Sequence, residues 1–135
     1  LSPCKSAGQG FGSATGQYLD LCIKFDTRSL TGYGLRFIRT TAYDKAVEAV
    51  LVEYQQGTIR PVCQPVKCLL FKRDCRVTLT ARDGLLTALI YNGGQEQQLA
   101  APITHPNSFG GIHIQHTGST GASATVVQSI SCNYN

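Results

Sequence analysis

The sequence predicts an all-β domain, built as a two-sheet antiparallel sandwich of the jelly-roll type. Short alternating apolar and polar segments recur along the chain, with turn-forming residues about every 8–12 residues, which is typical of sandwiches. Charged residues make up only 15% of the chain, as expected if many positions lie in sheets. Because no segment shows convincing helical periodicity, we expect about nine to eleven strands and less than about a tenth helix.

The clearest single element is a β-hairpin around Asp83-Gly84, a dipeptide typical of two-residue type I′ turns. This turn fixes the register and places Arg76 opposite Tyr91. One face of the hairpin is then entirely apolar, and we expect it to point into a core: Val77, Leu79, Ala81, Leu86, Ala88 and Ile90. The other face is mixed: Arg76, Thr78, Thr80, Arg82, Leu85, Thr87, Leu89 and Tyr91.

The remaining strands are predicted from alternation and from the turn residues between them. In the first, Leu19, Leu21, Ile23 and Phe25 are expected on one side, and Asp20, Cys22, Lys24 and Asp26 on the other. A connection is expected over 26–34, and further strands over 35–41, 47–54, 68–71, 97–100, 111–116 and 122–133. Residues 1–17 are predicted to be a Gly-rich lead-in, and residues 18–135 a single sandwich domain.

Charge and hydropathy exclude some classes of partner. The net charge of +4 is spread along the chain, whereas nucleic-acid-binding proteins concentrate basic residues in a patch, so no nucleic-acid partner is expected. No apolar run reaches the roughly 18 residues of a transmembrane helix, so no membrane span is expected. The chain begins at Leu1, lacks Met and shows no signal peptide, which we interpret as a mature product or an excised domain.

Six cysteines, an even number, favour an exported protein with disulfide bonds. The spacings do not match zinc sites, since no C-x₂-C motif occurs. Buried free thiols are the alternative, because Cys is among the most buried residue types.

No local pattern indicates catalysis or a metal site, so we assign neither catalytic nor metal-binding residues. Asp20 and Asp26 share a predicted face but lie about 20 Å apart, which is too far for a glycosidase pair. His113 and His116 are three apart in a predicted strand and therefore project to opposite sides. No cofactor is expected, and a structural calcium held by loop carbonyls is left open.

Exposed aromatic side chains are the remaining candidates for ligand binding. Sugar rings dock on aromatic planes, and Arg side chains can bind their hydroxyls; Tyr91 beside Arg76 offers both on the mixed hairpin face. Tyr33, Arg39 and Tyr43 could add to this site from the loops that bound the strand over 35–41. The alternative is that Tyr91 and Arg76 form a cross-strand packing pair worth under ~1 kcal/mol.

Four segments together resemble the concanavalin A-like lectin/glucanase superfamily, in particular the laminin-G-like jelly-roll modules of bacterial polysaccharide-degrading enzymes. They are YLDLCIKFD, GYGLRFIRTT, CRVTLTARDGLLTA and GGIHIQHTGSTGASATVVQSISCNY. The resemblance covers about Tyr18 to Tyr134 and implies two stacked antiparallel sheets and carbohydrate binding. The acidic E-x-D-x-x-E strand of the catalytic members is absent. Because first and last strands commonly lie side by side in this architecture, Cys22 and Cys132 are expected disulfide partners.

The resulting hypothesis is a non-catalytic carbohydrate-binding accessory domain of a larger exported bacterial protein, secreted, periplasmic or on the cell surface. Its partners would be a polysaccharide or glycan and a covalently linked neighbouring domain. A structural or protein-interaction domain that packs on a catalytic neighbour is the first alternative. A small glycoside hydrolase or polysaccharide lyase with acids assembled across loops is the second.

Overall fold

The computed structural model describes residues 2–4, 18–38, 46–69, 75–92, 95–103, 111–116 and 126–129. Within these ranges the chain forms eleven strands and no helix, and therefore no helix that could cross a membrane. The strands are β1 (Ser2–Cys4), β2 (Tyr18–Asp26), β3 (Thr31–Ile38), β4 (Ala46–Gln55), β5 (Thr58–Pro61), β6 (Val66–Leu69), β7 (Cys75–Arg82), β8 (Leu85–Asn92), β9 (Gln95–Pro102), β10 (Gly111–His116) and β11 (Val126–Ser129).

The described strands form two main antiparallel sheets and a small third one. The large sheet has the order β10-β2-β3-β4-β5, and β6 pairs with the first half of β4 on the same side as β5. The second main sheet has the order β7-β8-β9, and β1 pairs with β11. The all-β sandwich prediction is confirmed, whereas the jelly-roll connectivity stays a prediction.

The predicted β7–β8 hairpin is confirmed residue by residue. Asp83 and Gly84 both have positive φ, 53° and 74°, as a type I′ turn requires. Arg76 pairs with Tyr91, and Arg82 pairs with Leu85. The apolar face is buried: Val77, Leu86, Ala88 and Ile90 are at most 1% exposed, and Leu79 and Ala81 pack against them.

A hydrophobic core lies between the two main sheets. It joins the apolar faces of β8 and β9 to one face of β2, β3 and β4, here called the core face of the large sheet. The large sheet contributes Leu19, Leu21, Tyr33, Leu35, Phe37, Val47, Ala49 and Leu51, all at most 3% exposed. At roughly 25 cal/mol per Å² of apolar surface, this burial is the main stabilising term.

A β-bulge near the end of β2 changes the predicted alternation. Lys24 has a positive φ of 50°, and the pairing with β3 shifts between Ile23 and Asp26. The extra residue reverses the side to which the next side chain points. Phe25, predicted to join Leu19 and Leu21, instead packs with Cys22 on the opposite face.

The predicted connection over 26–34 is wrong, because β3 already begins at Thr31 and only 27–30 form the turn. Gly32 and Gly34, which were expected in this connection, lie in β3, where they allow close packing against β2. A Cβ on Gly32 would lie 2.8 Å from the Phe25 Cα, and one on Gly34 would lie 3.0 Å from the Cys22 sulfur. Since a side chain at Gly32 would collide with the bulge, the sequence required glycine within a strand.

Other predicted boundaries differ by a few residues. The 47–54 strand is confirmed as β4 and the 111–116 strand as β10, whereas 97–100 is the middle of the longer β9. The strand predicted over 68–71 is observed as β6, beginning at Val66. Within the predicted lead-in, β1 pairs with β11; residues 5–17 lie outside the described residues.

Cys22 and Cys63 are free thiols, the former buried and the latter half-buried. Cys132, the predicted partner of Cys22, lies outside the described residues. Because Cys22 is a free thiol, the predicted Cys22–Cys132 bond is not observed. The Cys63 sulfur instead accepts a hydrogen bond from the Leu51 amide at 3.3 Å, next to the irregular stretch 62–65 between β5 and β6.

Candidate functional site

One face of the second main sheet points away from the core. This outer face is the candidate site. Its residues alternate with the buried ones along β7, β8 and β9, because successive side chains of a strand point to opposite sides. All of them are exposed except the half-buried Thr87. The outer face consists of Arg76, Thr78, Thr80, Arg82, Leu85, Thr87, Leu89, Tyr91, Glu96, Gln98, Ala100 and Pro102.

An apolar stripe follows the central strand of this face. Tyr91 is 49% exposed, Leu85 44% and Leu89 37%. From Leu85 to Tyr91 the stripe spans about 20 Å, given the rise of a strand, and the half-buried Thr87 interrupts it between Leu85 and Leu89. Polar side chains lie on both sides of Tyr91, with Arg76 opposite it on β7 and Glu96 opposite it on β9.

Two of the five predicted binding residues lie together on the outer face. Arg76 and Tyr91 are exposed cross-strand neighbours, as the hairpin register predicted. Tyr33 lies within β3 rather than in a loop and is 2% exposed, so its ring belongs to the core and not to this face. The predicted contributions of Arg39 and Tyr43 fall on residues outside the described ranges.

The face of the large sheet opposite its core face carries a buried polar network. Asp20 is fully buried and binds Arg36 bidentately, with the guanidinium donating two hydrogen bonds of 2.8 Å. The Tyr54 hydroxyl also donates to Asp20. The Arg36 guanidinium lies 3.8 Å from the centre of the Tyr18 ring, and Gln115 donates to the Tyr18 hydroxyl at 3.1 Å. This network ties β10, β2, β3 and β4 together.

An aromatic row and a thiol border the network. Tyr54 meets Phe25 edge to face, and Phe25 stacks on His113 with ring centroids 4.4 Å apart. Burial, reinforced by the charge of Asp20, raises the pKa of the Cys22 thiol to about 12. Burial and the hydrogen bond to Asp20 likewise raise the pKa of Tyr54. Both groups stay protonated at neutral pH, so Cys22 is not an activated nucleophile.

Asp20 and Asp26 have structural roles and do not form a catalytic pair with Glu53. Asp20 is neutralised by Arg36, and Glu53 points to the opposite face of the large sheet. Asp26 accepts hydrogen bonds from the Arg28 amide and the Ser29 hydroxyl, which lower its pKa within the β2–β3 turn. Within the described part of the chain, no three His, Cys, Asp or Glu side chains are grouped so that they could hold a metal ion.

Sequence reasoning missed the Asp20–Arg36–Tyr54 network. These residues are neighbours because Asp20 pairs with Arg36 across the β2–β3 hairpin, and Tyr54 lies farther along the adjacent strand β4. The signal was the opposite charge of Asp20 and Arg36, which a correct β2–β3 register would have placed face to face. Because 26–34 was predicted to be a connection, the β2–β3 register could not be predicted.

Comparisons with known proteins identify no relative of this chain: no family model, no curated protein and no solved structure matches it. The resemblance to concanavalin A-like modules therefore stays a prediction. The exposed aromatic-polar surface on the second main sheet is the strongest guide to function that the fold provides.

Proposed function

We propose that this chain is a non-catalytic carbohydrate-binding domain whose ligand lies on the outer face of the β7-β8-β9 sheet. The observation that carries the proposal is the exposed ring of Tyr91, 49% open to solvent and directly opposite Arg76. On this proposal, the domain is an accessory module of a larger exported protein and serves a catalytic neighbour by holding a polysaccharide.

The chemistry of the outer face suits a sugar. A pyranose ring has an apolar face, which can pack on the Tyr91 ring, and equatorial hydroxyls, which need donors and acceptors at its edge. Arg76 supplies planar donors on one side, and Glu96 supplies an acceptor on the other. Farther along β8 on the same face, Leu89 likewise has a polar neighbour on each side, Thr78 on β7 and Gln98 on β9.

The core packing and strand pairing of β8, which carries Tyr91, favour binding. Tyr91 alternates with Ile90 and Ala88, which are at most 1% exposed and packed in the core. Because β8 is paired on both sides, its backbone requires no ordering when a ligand arrives. A pre-organised surface avoids part of the entropy cost of association.

The test is glycan binding by Tyr91 variants. A glycan array selects a ligand for the wild type, and titration then gives its affinity for each variant. We expect Tyr91→Ala to weaken binding at least about fivefold, which is ~1 kcal/mol. Tyr91→Phe keeps the ring and should retain affinity within about twofold.

The matched control is Leu30→Ala, which removes an exposed apolar side chain from the β2–β3 turn. It should leave the affinity unchanged. Equal affinities of wild type and Tyr91→Ala would contradict the proposed site. A wild type that binds no glycan would contradict the proposed function.

One observation favours a second candidate, a protein-docking surface. Leu85 and Leu89 continue the stripe beyond Tyr91, and a neighbouring domain could cover all three. Leu89→Ser separates the two functions. It should impair docking of a neighbouring domain strongly and glycan affinity less than Tyr91→Ala does, because aliphatic side chains offer no ring plane for stacking.

A further inference from the structure

A polar cleft lies at the end of the β4–β5 hairpin, in a part of the large sheet separate from the β7-β8-β9 sheet. Its volume is about 310 Å³, at the lower end of the range for small-molecule sites, roughly 300–1,000 Å³. Every side chain that lines it is polar: Glu53, Gln55, Gln56, Thr58 and Arg60.

Glu53 occupies a position that the strand pattern assigns to the core. Val47, Ala49 and Leu51 are the preceding core-facing residues of β4, and each is fully buried. Glu53 continues this series, pairs with the buried Tyr33 and is itself only 3% exposed. Burying a carboxylate costs free energy that an apolar residue would avoid, so a carboxylate here indicates a polar role.

Arg60 is the counter-ion of Glu53 and faces the solvent. One guanidinium nitrogen lies 3.3 Å from a Glu53 carboxylate oxygen, and the Arg60 side chain is 59% exposed. The pair therefore presents an acceptor at the floor of the cleft and free donor capacity at its rim, because a guanidinium carries five N–H donors.

The hairpin that holds the cleft is fixed at its tip. Gln56 and Gly57 have positive φ, 50° and 83°, which matches a type I′ turn. The Gly57 amide donates to the Leu30 carbonyl at 3.1 Å, and the Gln56 amide donates to the Thr31 hydroxyl at 3.3 Å. These bonds join the tip to the β2–β3 turn, so the backbone that carries the cleft is held in place.

We propose that this cleft binds a single neutral sugar unit through adjacent hydroxyl groups. Arg60 donates to two adjacent hydroxyl oxygens, Gln55 and Thr58 donate or accept at the rim, and the nearly buried Glu53 holds Arg60 in place and accepts from one hydroxyl at the floor. A vicinal diol matches this mixture, because each hydroxyl both donates and accepts. This site goes beyond the Tyr91 surface and binds independently of it.

The charges in the cleft argue against other ligand classes. A metal cation would have to compete with Arg60 for Glu53, and an anion would have to compete with Glu53 for Arg60. A zwitterion such as glycine offers complementary charges, but it would have to separate the Glu53–Arg60 pair. Neutral hydroxyls can bind while that pair stays intact.

The experiment is an NMR titration of the ¹⁵N-labelled chain with D-glucose, D-galactose, D-mannose, glycerol and glycine. At least one sugar should produce saturable shifts in the amides of residues 53–60 and in the side-chain amides of Gln55 and Gln56. Glycerol should bind at least about tenfold more weakly, because it lacks the fixed geometry of a ring. No saturable shift with any sugar, or equal responses to sugars, glycerol and glycine, would overturn the proposal.

Variants of the exposed rim test the site without disturbing the core. Gln55→Ala combined with Thr58→Ala should weaken the responding sugar at least about fivefold. Gln64→Ala, an exposed glutamine outside the cleft lining, is the matched control and should bind like the wild type. Glu53→Gln should also weaken binding, with urea unfolding as the check that it folds. Tyr91→Ala should leave these shifts unchanged, which distinguishes this site from the outer face. Unaffected binding in the rim double variant would overturn the assignment.

Discussion

Two tyrosine–arginine pairs among the described residues lie in opposite surroundings. Arg36 lies against the Tyr18 ring, forms two hydrogen bonds to the fully buried Asp20, and its side chain is 16% exposed. Arg76 lies opposite Tyr91 on the outer face, where both side chains are exposed. The residue types are alike, but the first guanidinium is engaged within the protein and the second faces solvent.

This difference separates a structural role from a binding role. Asp20 accepts two hydrogen bonds from Arg36, the Tyr18 ring lies against its guanidinium, and removing a partner from a buried group such as Asp20 costs the full desolvation penalty of that group. Polar groups on the outer face lose little free energy when a partner is absent, because water forms hydrogen bonds with them. Stability should therefore depend on the Arg36 pair, and ligand affinity on the Arg76 pair.

The largest expected effect comes from neutralising Asp20. Asp20→Asn leaves the Arg36 charge without its carboxylate in a buried site, and we expect the free energy of unfolding to fall by about 3–5 kcal/mol. Urea unfolding measures this change. Asp83→Asn, the same substitution at the exposed hairpin turn, is the control and should change stability by less than ~0.5 kcal/mol. Similar stabilities of the two variants would remove the distinction between buried and exposed pairs.

The pH dependence of stability tests the buried network through Cys22. Its pKa is raised from 9.0 to about 12, so the folded state retains a proton that the unfolded state releases. This contribution is fully present below pH 9 and is lost as the pH rises from 9 towards 12, at up to ~1.4 kcal/mol per pH unit. Unfolding free energies measured from pH 8 to 10.5 should fall more steeply for the wild type than for Cys22→Ala. Parallel profiles would show that the thiol is not held protonated by the fold.

The smallest expected effect is a difference in stability between two tyrosine truncations. Tyr18→Ala removes the stack on Arg36 and the hydrogen bond from Gln115, and should cost at least ~1 kcal/mol. Tyr91→Ala removes an exposed ring and should change stability by less than ~0.5 kcal/mol. Thermal and urea unfolding of both variants provide the comparison. A Tyr91→Ala variant as unstable as Tyr18→Ala would indicate that Tyr91 has a structural role.

The sequence by itself determined the all-β class, the β7–β8 hairpin and the identity of the outer face. These features depend on local rules: two positive φ angles at Asp83 and Gly84 set the turn, and a period of two sorts every following side chain. Because the register follows from the turn alone, the pairing of Arg76 with Tyr91 could be predicted without any tertiary contact.

Only the tertiary structure decided which residues lie on the second face of the large sheet and which residues form the polar cleft. The bulge at Lys24 sends Phe25 to the side of Cys22, and it can form because Gly32 on the neighbouring strand leaves room for it. The burial of Asp20 and Glu53 likewise depends on partners from other strands, Arg36 and Arg60. A local pattern assigns a charged residue to the surface, whereas its burial is decided by whether the fold supplies a counter-ion within hydrogen-bonding distance.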